Sequence, residues 1–138
     1  MKSMRTFTTS VMIALTLAIT ILASCSLDEP DGKWSKMKWK DHSGLTKQDG
    51  TYFVPASGGT YTFECLNYSS PWIASIGEDY LHSDDFHSYT GSWFAVECKK
   101  QNVTITVQPL DEGVESRNFT VTVTAGDIFD TFRFTQQR

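Results

Sequence analysis

Two hydrophobic patterns divide the chain. Near its start, Val11–Leu22 is an uncharged, mostly apolar run. After residue 50 the pattern changes to alternation. Val103, Ile105 and Val107 alternate with Asn102, Thr104, Thr106 and Gln108. Phe119, Val121, Val123 and Ala125 alternate with Thr120, Thr122 and Thr124, and Tyr61, Phe63 and Cys65 with Thr60, Thr62 and Glu64. Successive side chains of a strand face opposite sides, so each run predicts a strand with one apolar and one polar face. Thr51–Val54, Trp72–Ser75, Trp93–Cys98 and Phe129–Thr135 complete the set, the last with Phe132 and Phe134 inward and Arg133 outward. Turn residues punctuate these runs at Pro55–Gly59, Asn67–Pro71, Pro109–Ser116 and Ala125–Asp127. No helical stripe follows residue 24. The expectation is all-β: an antiparallel β-sandwich of about seven strands over residues 51–138.

The first apolar run reads as an address. Lys2 and Arg5 precede it and no acid does, as in a secretory signal. Twelve residues are too few for a comfortable spanning helix, which needs about 20. Leu22-Ala23-Ser24-Cys25 resembles the bacterial lipoprotein signal. That resemblance implies cleavage after Ser24 and lipidation of Cys25. Two or more acyl chains on one residue hold a protein at a membrane without a spanning helix. Ser26–Gly32 carries Asp28, Glu29 and Asp31 and is similar to the export signal of Bacteroidetes surface lipoproteins. The expected location is therefore the outer membrane or the cell surface, with a membrane as first partner.

Export also bears on the cysteines. With Cys25 committed to lipid, Cys65 and Cys98 remain. Both fall in phase with core positions, and an oxidising compartment makes them a disulfide candidate. Two buried free thiols are the alternative. Charge excludes another class. The chain has 12 basic and 16 acidic residues, and the 114 residues after Ser24 carry a net −6. A duplex nucleic-acid binder normally shows a basic footprint.

The stretch Tyr52–Gln137 resembles the BACON domain, a Bacteroidetes-associated Ig-like module linked to carbohydrate binding. The resemblance lies in Val54-Pro55-Ala56-Ser57-Gly58-Gly59-Thr60-Tyr61, Trp72, Trp93, Asn102–Val107, Arg117 before Phe119–Gly126, and the closing Phe132–Gln136 strand. It implies an Ig-like sandwich with Trp72 and Trp93 in the core and no catalytic residues. The family does not require the Cys65/Cys98 pair, and Ile76–Ser92 is longer and more polar than its usual link.

Two segments stand outside that pattern. Residues 25–50 form a tether in which Lys36-Met37-Lys38-Trp39-Lys40 alternates like a strand, and an edge strand docked on the sandwich is expected there. Ile76–Ser92 is the most chemically loaded loop. Tyr80, Asp84, Phe86 and Tyr89 make a candidate glycan-binding set, since rings stack on sugars and carboxylates accept hydroxyl hydrogen bonds. His82 through His87 also suits a divalent metal, and a solvated loop whose rings cap the sandwich is the third reading. Asp84 and Asp85 are adjacent, and His42, His82 and His87 accompany no nucleophile motif, so no catalysis and no cofactor are expected. Two functions remain. One is a lipid-anchored module that binds polysaccharide or mucin glycans. The other is a spacer or scaffold contacting an envelope protein.

Overall fold

In the computed structural model, residues 34–80 and 85–138 are described. The signal segment Met1–Ser24 and the lipidation candidate Cys25 lie outside them. Among the described residues, the alternation seen in sequence becomes eleven strands. In chain order they are β1 (Trp39–Asp41), β2 (Thr46–Gln48), β3 (Thr51–Pro55), β4 (Gly59–Cys65), β5 (Trp72–Ile76), β6 (Asp79–Tyr80), β7 (Ser88–Thr90), β8 (Phe94–Lys99), β9 (Asn102–Val107), β10 (Ser116–Thr124) and β11 (Phe129–Gln137). The first sheet has the order β1-β4-β9-β8-β7 and the second β2-β3-β11-β10-β5-β6.

The seven expected strands are all present, as β3, β4, β5 and β8–β11. The four additional strands, β1, β2, β6 and β7, are two or three residues long. Two arise from the tether and two from the Ile76–Ser92 insertion. They occupy all four sheet edges, where short strands leave little open ladder for another chain to join. One pairing departs from the antiparallel expectation. β3 lies parallel to β11, with Tyr52 opposite Phe134. Periodicity reports which face a residue takes but not the direction of its neighbour.

The apolar faces meet in a column of rings. Phe94 stacks on Phe119 at 4.0 Å between centroids, and Phe119 on Phe134 at 4.7 Å. Phe63 joins from the first sheet, 4.8 Å from Phe132 and 5.1 Å from Tyr52. Phe63, Ile73, Val103, Ile105, Val121 and Val123 have no exposed surface. Burying each such side chain contributes about 1.5–3 kcal/mol. At the β3–β4 turn Gly58 has φ +72°, and a Cβ there would lie 2.2 Å from the Val107 carbonyl oxygen, so only glycine fits.

The tether enters the sandwich before residue 51, and the compact unit begins at Trp34. β1 pairs with β4, Trp39 opposite Cys65. Met37 is buried, and Trp39 Nε1 donates to Asp130 Oδ2 of the other sheet at 2.8 Å. Lys36, Lys38 and Lys40 stay exposed.

Cys65 and Cys98 are buried free thiols, which overturns the disulfide expectation. They share the first sheet but flank β9 on opposite sides: the Cys65 amide donates to the Gln101 carbonyl, and Cys98 pairs with Val103. Two strand spacings of about 4.8 Å, with an offset of two residues along β9, separate their Cα atoms by about 12 Å, beyond the ~7 Å that a disulfide tolerates. Burial, with Glu97 adding, pushes the Cys98 thiol up to about 12.

Candidate functional site

The insertion between β5 and β8 crosses from one sheet to the other. The Phe86 carbonyl accepts from the Ile73 amide of the second sheet at 2.7 Å, and the His87 carbonyl from the Cys98 amide of the first at 2.7 Å. Asp85 shapes the turn between them. Its carboxylate accepts from the His87 amide at 2.9 Å and the Ser88 hydroxyl at 2.8 Å. These two hydrogen bonds hold its carboxyl below the ordinary value.

The expected glycan platform is not assembled here among the described residues. Asp84 and His82 lie outside them. Tyr80 pairs with Ser75, and its side chain is likewise outside. Tyr89 sits directly opposite Val96 in the β7–β8 ladder, so it shares the inner face. It is half-buried and packs on Phe94 at 5.3 Å, at the border of the core. Among the described side chains of the set, Phe86 shows an exposed ring, at 38%. No group of three or more His, Cys, Asp or Glu side chains converges on a metal position among the described residues.

The two tryptophans of the sandwich divide. Trp93 packs edge-on against Phe94 and Phe119, with the Arg117 guanidinium 4.1 Å above its ring. That agrees with a core role. Trp72 does not. It pairs with Thr124 beside the inward pair Ile73–Val123, so it faces outward and is half-buried.

The outer faces carry the remaining chemistry. On the second sheet, Thr51, Arg133 and Thr120 form one outward rung and Thr135 and Asn118 part of the next. They line a shallow depression of about 200 Å³. The Thr135 hydroxyl donates to Asn118 Oδ1 at 3.1 Å. Arg133 is exposed and forms no ion pair among the described residues, where the pairs are His42–Glu64 and Arg117–Asp111. No carboxylate lines the depression. The first sheet has a comparable hollow of about 180 Å³, lined by Ser88, Thr90, Glu97, Thr104 and Thr106 among others. There a carboxylate replaces the guanidinium. Both hollows lie between ladder rungs and neither is a cleft.

Sequence reasoning placed Arg133 outward but gave it no role. The available signal was parity: Thr51, Thr120, Thr135 and Arg133 all take the polar phase of their strands.

A scan against family models finds no match for this chain, and neither does a search of curated proteins. Among solved structures, the chain is similar to a protein from Bacteroides thetaiotaomicron determined by NMR. Identity is 36%, the TM-score is 0.65, and the match covers 82% of this chain and 96% of that one. It is also similar to part of a Bacteroides ovatus GH5 xyloglucanase in complex with a XXXG heptasaccharide. There identity is 19% and the TM-score 0.45, over 72% of this chain and 19% of that one.

Proposed function

The chain belongs to the same family as that Bacteroides thetaiotaomicron protein, and we propose that it is a non-catalytic contact module, held at the outer membrane or cell surface by lipid on Cys25, that binds polysaccharide or mucin glycans. One observation supports the reading most directly. The outer face of the second sheet has a hydroxyl-lined hollow around an exposed Arg133 that has no ion-pair partner among the described residues. Threonine hydroxyls and the Asn118 amide both donate and accept, matching the hydroxyl groups of a sugar chain. A guanidinium binds carboxylate or sulfate in a bidentate fork, so acidic sugars are the favoured class. The proposed glycan surface is therefore this face rather than the insertion.

Calorimetric titration with uronate-containing and sulfated mucin glycans tests the proposal. Binding is expected, at least tenfold weaker in Arg133→Ala and weakened in Thr120→Val, with circular dichroism unchanged. Absence of binding to acidic and neutral glycans alike, or binding that ignores both substitutions, overturns it in favour of a spacer.

A further inference from the structure

The ends of the sandwich differ in composition. The chain enters at the end formed by residues 34–38, the β4–β5 connection, the β8–β9 turn and the β10–β11 turn. Three observations fix this common level. The Leu66 amide donates to the Lys38 carbonyl at 2.8 Å, Trp39 reaches Asp130, and Trp72, Thr124 and Phe129 share one rung. Every exposed large hydrophobic residue among those described lies at this end: Trp34 at 58%, Leu66 at 55%, Phe129 at 59% and Phe86 at 38%. Phe86 belongs here because its carbonyl meets the Ile73 amide beside Trp72.

Lysines without ion-pair partners gather at the same end. Lys36, Lys38, Lys99 and Lys100 are exposed and form no ion pair among the described residues. Lys100 takes φ +54° at the tip of the β8–β9 turn, a conformation that glycine or asparagine adopts at less cost. The acids at this level are Glu64, which shares a rung with Lys40 and Lys99 and faces His42, together with Asp85 and Asp127, and Asp130 is engaged by Trp39. At the opposite end the surface holds Asp111, Glu112 and Glu115, with Arg117 and Arg138 committed to protein acceptors.

Exposed apolar side chains gathered in one place mark an interaction surface. Tryptophan beside lysines is the composition found at membrane–water interfaces, where the ring sits at headgroup level and the ammonium groups meet anionic lipid. Chain length points the same way. Cys25 precedes Trp34 by nine residues, a reach of about 30 Å when fully extended. We infer that the entry end of the sandwich docks on an anionic phospholipid surface through Trp34, Leu66 and Phe129, with Lys36, Lys38, Lys99 and Lys100 meeting the headgroups. This assignment rests on the lipid-anchored reading for its physiological setting. Its chemistry is separate, because it needs no acyl chain. It also leaves both sheet faces free at the side of the molecule.

Residues 34–138 contain both sheets and the whole core, so this unit serves for the test. It is mixed with vesicles of phosphatidylcholine alone or with phosphatidylglycerol added, and binding is read by co-sedimentation and tryptophan emission. The expected result is binding to the anionic vesicles with a blue shift, falling as salt is raised. Trp34→Ser with Leu66→Ser is expected to weaken binding at least tenfold. Lys99→Gln with Lys100→Gln is expected to weaken it and to flatten its salt dependence. Glu112→Gln, at the other end, is expected to leave it unchanged. No binding, or binding indifferent to these substitutions in variants whose circular dichroism is native, overturns the inference. Mass spectrometry of the processed full chain scores the anchor independently. Vesicle binding with an unmodified Cys25 keeps the docking surface and removes the anchor; an acylated Cys25 without vesicle binding by the unit does the reverse.

Discussion

The two ends of this sandwich solve opposite problems. At the end away from the chain entry, polar groups are tied to one another. Gln136 is fully buried, and its side chain accepts from Arg117 Nε at 2.7 Å while donating to the carbonyls of Gln108 at 2.9 Å and Pro55 at 3.1 Å. Arg117 also donates to the Pro109 carbonyl at 3.0 Å and to Asp111 at 3.2 Å, with Trp93 beneath its guanidinium. One arginine and one glutamine thereby fasten two loops to β10 and β11. At the entry end, rings and lysines are left in water, the lysines with no ion pair among the described residues. Fully satisfied polar networks hold a fold in place. Apolar surface left uncovered on a stable body is surface available to something else.

That contrast can be broken most forcefully at the fastened end. Gln136→Leu removes a donor and an acceptor from a dry site and leaves Arg117 Nε without its partner. A loss of about 2–4 kcal/mol in denaturant unfolding is expected, and a loss under about 0.5 kcal/mol would mean the network does not hold that end. The next test separates an open surface from a loose interior. Cys98 lies one residue before Lys99 yet is buried, with its thiol raised from 9.0 to about 12. The unfolded thiol ionises near pH 9 while the folded one keeps its proton, so the unfolded state binds fewer protons above pH 9. Stability is therefore expected to fall as pH rises from 9 toward 12, by at most about 1.4 kcal/mol per unit from this group. Tyr52 and Tyr61, both raised by burial, add to the upper part of that window. Urea melts of Cys98→Ala should lack the slope between pH 9 and 10, and an unchanged slope would mean water reaches the thiol.

A smaller effect is expected where the tether meets the second sheet. Trp39→Phe keeps the packing on Phe132, 4.9 Å away, but loses the hydrogen bond to Asp130. Thermal unfolding should show a cost of about 1–2 kcal/mol, since the acceptor is a carboxylate and the site is partly buried. The smallest change belongs to the entry surface itself. Trp34→Ala and Leu66→Ser should each move stability by no more than about 0.5 kcal/mol, because these side chains are mostly in water. A cost several times larger would make them packing residues and erase the difference between the ends.

Much of this was legible in the chain before its structure. The long strands follow from alternation because each has one wet and one dry face. The Lys36–Lys40 alternation likewise reads as an edge strand with its lysines outward, and β1 has that form. Other features were hidden for physical reasons. A strand of two or three residues has too few positions to show a period, so no alternation marks β2, β6 or β7 in the sequence. β7 then put Tyr89 in phase with Val96 and drew it inward. The cysteine pairing failed because phase identifies a face and not a neighbour; both thiols face the core with a strand between them. Gln136 did leave a signal. It continues the inward phase of Phe132 and Phe134, and a polar side chain on an apolar stripe needs partners. Arg133 left less, since an outward arginine becomes notable only when the surrounding rungs are known to lack a carboxylate.

The most direct test of this polarity is amide hydrogen exchange on the full chain, anchored on vesicles containing phosphatidylglycerol and compared with the same chain in detergent. Slowed exchange is expected at residues 66–71, 99–101 and 125–128, with residues 108–115 unchanged. Protection appearing at 108–115, or at neither end, would contradict a sandwich whose entry end rests on the membrane.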